Sequence, residues 1–218
     1  MSTIAVVDYG MGNLRSVARA LEHVAPGRTR VRVTDRAADI VAADRVVFPG
    51  QGAARDCMRA LVRHELQAPL LEAARSRPFL GMCMGLQVLL EHSEEGGGTD
   101  FLGIIPGRVR RFADGRVDAD GWRLKIPHMG WNIVRQASAH ALWDGIADGT
   151  RFYFVHSYYA QPADAELATG MTDYGHEFCS ALARDNLFAC QFHPEKSSTA
   201  GLRLLANFVA WDPYRART

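Results

Sequence analysis

The stretch PFLGMCMGLQVLL, residues 78–90, decides the fold of this chain. A short apolar run ends in the pentapeptide GMCMG, residues 81–85, and passes directly into an apolar helical pattern. This order predicts a strand, a tight turn with Cys83 at its tip, and a helix, which is the cysteine counterpart of a nucleophile elbow. The glycines let strand and helix pack closely around a strained backbone, and the helix start favours the thiolate. Because free cysteine is more often a small buried hydrophobe, the elbow needs partners elsewhere in the chain.

Candidate partners occur near the other end, in the segment LFACQFHPEKS, residues 187–197. The segment reads as a strand running into a loop, and Pro194 biases His193 toward an extended backbone. Side chains two positions apart in an extended chain point the same way, so Glu195 can hold the imidazole of His193 in one tautomer. A nucleophile, a base and a group that orients the base form the arrangement for covalent acyl transfer. A His-x-Glu pair taken alone is more often a solvated histidine and a surface glutamate than a catalytic pair.

Composition excludes several classes of protein. The chain has 218 residues and a net charge of +1, which gives no electrostatic reason to predict binding to nucleic acid or to a membrane surface. None of the four cysteines forms a C-x-x-C pair, so no zinc site is predicted, and no cofactor is expected. The first residues lack the features of a signal peptide, and no apolar run reaches membrane-spanning length. We expect a reduced, cytoplasmic protein.

Strand and helix patterns alternate through residue 92, which indicates βαβ units and a mainly parallel sheet. Turn signals within residues 107–134 suggest a hairpin, and three further strand patterns precede a final helix. We therefore predict one α/β domain over residues 1–218, a doubly wound, flavodoxin-like sheet with antiparallel additions. Sites in such sheets form at the carboxyl ends of strands, where Cys83, His193 and the loop at residues 49–52 are placed.

These residues resemble the class I (triad) glutamine amidotransferases. Residues 81–87, GMCMGLQ, match the family signature G-x-C-x-G-x-Q, and residues 193–195 match its H-P-E. A narrower resemblance, to the family of glutaminase subunits of imidazole glycerol phosphate synthases in histidine biosynthesis, rests on four segments. They are DYGMGNL at 8–14, PHMGWN at 127–132, FVHSY at 154–158 and QFHPEKS at 191–197.

The resemblance implies a mechanism. Cys83 attacks the side-chain amide of glutamine, His193 acts as base and Glu195 orients it. Backbone N–H groups of Met84 and of the Gly50-Gln51-Gly52 loop hold the oxyanion, although Gln51 stands where a small apolar residue is usual. The positions that match the family's glutamine-binding residues are Gln87, Glu95, Ser157 and Tyr158, with Gly52 close by.

The resemblance also implies a partner. The chain shows no second active site, and its Gly10-Met11-Gly12 does not complete a phosphate-binding G-x-G-x-x-G. In the resembled family the ammonia passes to a (β/α)₈ cyclase subunit, which forms a heterodimer with the glutaminase. The expected docking residues lie at or beside the carboxyl strand ends: Asn13, Arg15, Met129, Trp131 and Lys196.

Other functions stay open on the residues alone. One is a glutaminase subunit for anthranilate, aminodeoxychorismate or purine synthesis, which residues 127–132 argue against. Another is a non-enzymatic regulatory module on the same fold, or a cysteine hydrolase with a different substrate. The complete set of Cys83, His193 and Glu195 argues against a module without activity.

Overall fold

The computed structural model describes residues 2–118 and 120–214, and in this part of the chain thirteen strands form one sheet. Five neighbouring strands in the order β2-β1-β3-β4-β13 are parallel. Their bounds are β1 Ser2–Val7, β2 Thr29–Thr34, β3 Arg45–Gly50, β4 Phe79–Cys83 and β13 Leu187–Cys190. The last strand of the chain therefore lies beside the strand that carries Cys83.

Helices cover both faces of this parallel part. They are α1 Leu14–Val24, α2 Ala37–Ala42, α3 Ala54–Arg63, α4 Gln67–Ser76, α5 Met84–Gln87 and α6 Ser198–Ala210. Residues of α1 and α6 pack with Ile4 and Val6 on one face, whereas α2, α3 and α4 pack with Ala5 and Val7 on the other. Because successive strand residues point to opposite faces, an unbroken apolar run is what a strand covered on both sides requires.

Mainly antiparallel pairings extend the sheet beyond β13. The path continues through β12 (Glu177–Arg184), β10 (Tyr158–Pro162), β7 (Gly107–Arg111), β5 (His92–Ser93) and β6 (Thr99–Asp100). One short pairing, between β5 and β7, is parallel. A branch leads from β12 through β11 (Ala168–Asp173) and β8 (His128–Gln136) to β9 (Thr150–His156). The predicted fold class, a doubly wound and mainly parallel sheet with antiparallel additions, is confirmed.

The hairpin predicted within residues 107–134 forms locally around the turn at Asp120-Gly121, but it is wrong for the two strands of that region. Strand β7 pairs with β10 and β5, whereas β8 pairs with β9 and β11, so the two strands of that region do not pair with each other. Between them only the bridge Val117–Arg123 closes around the turn at Asp120-Gly121. A turn signal identifies where the chain reverses, but it does not identify which strand the next one joins.

The helix after the elbow is also shorter than its apolar pattern suggests. It ends at Gln87, although residues 88–90 are fully buried. The carbonyl oxygens of Val88, Leu89 and Leu90 accept hydrogen bonds from backbone N–H groups of residues 102–105 instead of continuing the helix. The apolar residues 88–90 are therefore explained by burial, and their pattern does not predict where the helix ends.

Candidate active site

Cys83 is the last residue of β4 and has φ 56° and ψ −110°, a left-handed conformation that is strained for a residue with a side chain. The turn depends on the glycine two positions later. A Cβ atom on Gly85 would lie 1.8 Å from the carbonyl oxygen of Phe48 in β3, which no side chain tolerates. The predicted elbow therefore forms, and it presents a thiol that is 8% exposed.

His193 and Glu195 form a buried pair immediately after β13. Nδ1 of His193 lies 2.9 Å from Oε1 of Glu195, and their side chains are 5% and 2% exposed. Since a carboxylate only accepts, Nδ1 donates and Nε2 is the ring atom left for chemistry. His193 is extended, as predicted, but the chain then enters a 3₁₀ turn at Pro194–Lys196. The side chains meet across this turn rather than along an extended strand.

The charge environment of His193 favours its protonated form. Burial is the largest influence and lowers its pKa, but interactions with Cys83 and Glu195 together outweigh it and leave the pKa well above the ordinary value. These two neighbours therefore favour the imidazolium form, which has a proton on each ring nitrogen. Nε2 has no hydrogen-bond partner among the described residues, so its proton is available to a bound substrate.

A cavity of about 280 Å³ opens beside Cys83 and His193. Most of the predicted site residues line it, namely Cys83, Met84, Gln51, Gly52, Gln87, Glu95, Ser157, Tyr158 and His193. Glu195 lies behind His193. Gly50 lines a smaller neighbouring cavity instead, together with Asn13, His193 and Glu195. The structure thus brings the proposed nucleophile, base and glutamine-binding groups together around one opening.

Two further chain segments contribute Gln51, Gly52 and Glu95 to the cavity wall. Gly50 ends β3 directly beside Cys83 in the parallel register, and Gly52 has φ +92°, which glycine adopts without strain. In the second segment, Oε2 of Glu95 accepts the N–H of Ala54 at 2.9 Å, at the start of α3. This bond fixes the carboxylate in the cavity wall.

Two buried histidines, His156 and His128, form a hydrogen-bonded chain beside this cavity. Nδ1 of His156 donates to the carbonyl oxygen of Tyr158 at 2.7 Å, and its Nε2 lies 3.0 Å from Nδ1 of His128. Nδ2 of Asn132 lies 3.2 Å from Nε2 of His128. Because the carbonyl only accepts, one set of neutral tautomers satisfies every bond. Burial lowers the pKa of His128 to about 4 and that of His156 to about 3.

This histidine pair predicts a loss of stability in mild acid. Both rings are neutral in the folded and unfolded chain above pH 6.5, but below it the unfolded chain takes up protons first. The free energy of unfolding should fall from about pH 6.5 down to the folded-state pKa of each ring, about 4 for His128 and about 3 for His156, by up to about 1.4 kcal/mol per pH unit for each histidine. Denaturant titration at several pH values measures this slope. His156→Gln should flatten it, whereas His23→Gln, a change on the exposed face of α1, should not.

The predicted docking residues occupy different positions around the carboxyl ends of the parallel strands. The side chain of Asn13 caps α1 by accepting from the N–H of Ser16, and Arg15 is exposed on the same helix. Met129 and Trp131 on β8 are 62% and 51% exposed. The Trp131 ring contacts the Tyr153 ring, and Nζ of the exposed Lys196 lies 5.9 Å from that ring's centre. Trp131, Tyr153 and Lys196 are thus continuous on the surface.

Two residues near the nucleophile were missed as functional candidates. His156 lines the cavity, and Gln191 is fully buried, with Nε2 3.7 Å from Sγ of Cys83. The available signal for Gln191 was a polar residue between apolar ones, in the run ACQF that ends β13. A buried polar side chain requires a hydrogen-bond partner, but the sequence does not name that partner.

Comparison with known proteins identifies the family of this chain. Residues 5–211 match the family glutamine amidotransferase class-I. The chain is 60% identical over 214 residues to the imidazole glycerol phosphate synthase subunit HisH of Aromatoleum aromaticum, covering 98% of this chain and 100% of that one. The corresponding HisH of Dechloromonas aromatica is 59% identical over 212 residues, 97% of each chain.

Solved structures share the fold at low sequence identity. PurLQS from Thermotoga maritima has a TM-score of 0.70 at 15% identity, covering 96% of this chain and 98% of that one. A solved glutamine amidotransferase has a TM-score of 0.70 at 15% identity, covering 94% and 97%. From the family match over residues 5–211 and the identity over nearly full length, it follows that this chain belongs to the class I glutamine amidotransferase family and groups within it with the HisH subunits.

Proposed function

We propose that Cys83, His193 and Glu195 hydrolyse glutamine and that the ammonia passes to a bound cyclase subunit. The observation that carries this proposal is the buried His193–Glu195 pair, which shares one cavity wall with the strained Cys83. At about 60% identity over nearly the whole of both chains, the predicted function of a glutaminase subunit of imidazole glycerol phosphate synthase in histidine biosynthesis is confirmed. The proposal adds the residues that catalyse the hydrolysis and the subunit that receives the ammonia.

In the first half of the reaction, the Cys83 thiolate attacks the side-chain amide carbon of glutamine, its proton having passed to His193. The oxyanion is stabilised by the N–H of Met84, which as the first residue of α5 has no acceptor within the helix, and by the loop at residues 50–52. The tetrahedral adduct then expels ammonia, which takes the Nε2 proton of His193. A thioester on Cys83 and a neutral imidazole remain.

In the second half, His193 removes a proton from water as the water attacks the thioester carbon. Collapse of that adduct breaks the bond to Sγ, releases glutamate and regenerates the thiolate–imidazolium pair. Glu195 stays ionised and orients the ring in both steps. Glutamine is held by Glu95, whose carboxylate pairs with its ammonium group, together with Gln87 and the backbone of Ser157 and Tyr158.

The partner proposed is a (β/α)₈ cyclase that docks at the carboxyl ends of the parallel strands. The cavity opens there, so ammonia leaves on that side, and Asn13, Arg15, Met129, Trp131 and Lys196 lie on the surrounding surface. Ammonia that escapes into water at neutral pH is protonated and lost as a nucleophile, which favours direct transfer. Among the described residues, no helix has the length and apolar character needed to cross a bilayer, and we place the complex in the cytoplasm.

Reconstitution tests this proposal. The chain is mixed with its candidate cyclase, the cyclase's nucleotide substrate and glutamine, and synthesis of imidazole glycerol phosphate is measured. We expect glutamine-dependent synthesis, with glutamate formed in equal amount. Glutamine hydrolysis without the imidazole product would point to a different acceptor subunit, such as one for anthranilate synthesis.

The exposed Trp131 makes the docking surface testable. A large aromatic side chain that becomes buried between subunits is a frequent hot spot, so Trp131→Ala should weaken assembly by roughly 2 kcal/mol or more. Because the ring is 51% exposed, the melting temperature of the isolated chain should hardly change. Titration calorimetry with the cyclase and thermal unfolding of the variant measure the two effects.

A matched control for this variant is Tyr214→Ala. Tyr214 is 63% exposed and lies near Arg77, at the amino end of β4, whereas the cavity lies at the carboxyl ends of the parallel strands. It should bind the cyclase normally. A Trp131→Ala variant with normal affinity and a lowered melting temperature would show instead that Trp131 is a packing residue.

A further inference from the structure

A buried amide lies against the proposed nucleophile. We propose that Gln191 is a positioning residue for Cys83, whose Nε2–H bond to Sγ holds the sulfur in place and favours its thiolate. Nε2 lies 3.7 Å from Sγ, within hydrogen-bonding distance for sulfur, and the Gln191 side chain is fully buried. This inference rests on the proposed function, in which Cys83 attacks the substrate.

The strand register brings the two residues together. Cys190 pairs with Met82 where β13 runs parallel to β4, so Gln191 and Cys83 follow one position further along. Paired residues of neighbouring strands point to the same face of the sheet. The backbone N–H of Gln191 also donates to the carbonyl oxygen of Ser180 at 2.8 Å, which anchors the residue to β12. The contact is thus built into the sheet.

A chain of hydrogen bonds determines which end of the Gln191 amide faces sulfur. The carbonyl oxygen of Tyr158 can only accept, and Nε2 of Gln87 donates to it at 3.1 Å. The same Nε2 donates its other proton to Oε1 of Gln191 at 3.0 Å. With its oxygen engaged by Gln87, Gln191 presents its nitrogen to Sγ. The sulfur therefore faces a donor and not an acceptor.

A hydrogen-bond donor in this position affects both the ionisation of Cys83 and the placement of its side chain. A hydrogen bond to the charged form of a titratable group favours that form, and the effect is larger where water is excluded. Unlike His193, the amide does not titrate, so its contribution does not depend on the protonation state of the imidazole. It also restrains the side chain of Cys83, whose backbone is already held in a strained conformation.

Alkylation of the isolated chain by iodoacetamide reads out this effect. Burial raises the pKa of Cys57 and of Cys179 to about 12 and that of Cys190 well above its ordinary value, so the reagent reports on Cys83. In Gln191→Met, which keeps the length but lacks the donor, the rate at neutral pH should fall roughly two- to tenfold. When the alkylation rate is measured between about pH 5 and pH 9, the pH at which it is half-maximal, here called the midpoint, should be higher than in the wild type.

Two further variants separate this role from packing. Gln87→Met frees Oε1 of Gln191 and so releases its orientation, and it should move the midpoint in the same direction by a smaller amount. Thr172→Val removes another buried hydrogen bond, from Oγ1 to Oγ of Ser180 at 2.8 Å, without touching the site. The pH at which this variant's alkylation rate is half-maximal should equal that of the wild type.

The outcomes are distinguishable, since alkylation needs neither glutamine nor the cyclase. If Gln191→Met and Gln87→Met both keep the wild-type midpoint, Gln191 is a packing residue. Should Gln191→Met fail to fold, as judged by circular dichroism, an unchanged Gln87→Met midpoint alone overturns the proposal. A wild-type chain whose Cys83 resists alkylation overturns the proposed nucleophile as well as the role of Gln191.

Discussion

Replacing Cys83 with alanine should abolish glutamine-dependent synthesis by the assembled enzyme and leave synthesis from added ammonium salts largely intact. In the proposed mechanism the Cys83 thiolate forms the covalent bond to glutamine, so without it no thioester arises. The elbow glycines and the cavity do not depend on the sulfur, and ammonia supplied in solution bypasses the glutaminase site. Initial rates with glutamine and with ammonium chloride, measured on the same complex, give the two activities separately.

A matched control for Cys83→Ala is Cys179→Ala, which removes another buried thiol from β12. It should retain both activities. Equal loss of glutamine-dependent and ammonia-dependent synthesis in Cys83→Ala would contradict the division of labour between the two subunits. Retained glutamine hydrolysis in Cys83→Ala would show that a different residue is the nucleophile.

Replacing Glu195 with glutamine should lower kcat for glutamine hydrolysis on the order of 10²- to 10⁴-fold, with a small effect on KM. The 2.9 Å bond to Nδ1 fixes the tautomer of His193, and the carboxylate charge is one of the interactions that raise the pKa of that ring. An uncharged amide can also present its N–H₂ group to Nδ1, which favours the wrong tautomer. Steady-state kinetics of the complex with glutamine measure both parameters.

The control for Glu195→Gln is Glu94→Gln. Glu94 pairs with Arg110 on the surface, and its side chain is 40% exposed. That variant should keep the wild-type kcat. If Glu195→Gln instead raised KM strongly at an unchanged kcat, Glu195 would be a ligand of glutamine and not the group that orients His193.

How far the sequence determines this site differs from residue to residue. The elbow was predictable because steric limits at Cys83 and Gly85 act locally, on residues within one short segment. The relation between His193 and Glu195 was predictable because only one residue separates them. The contact between Gln191 and Cys83 was not, since it depends on which strand lies beside β4.

The sequence predicted most strands but not which strands pair with each other. The sequence predicted strands in the regions of β8 and β9, but it placed the first in a hairpin within residues 107–134 and did not pair it with β9. Strand β10 was missed altogether, since its sequence YYAQP shows little alternation and contains proline. Its place is set by its pairing with β7 and β12, and such long-range pairing has no local sequence signal.

The insertion of β13 between β4 and β12 has a consequence for synthesis on the ribosome. Cys83 emerges early in translation, when the strands from β1 to β4 can already pair, but its histidine, its glutamate and its amide donor arrive with the final part of the chain. Until then β4 has an open edge, and contacts this distant in sequence form late. On the proposed mechanism, prematurely terminated or proteolytically shortened products that lack this last strand would have no working nucleophile and would release no ammonia in the cell.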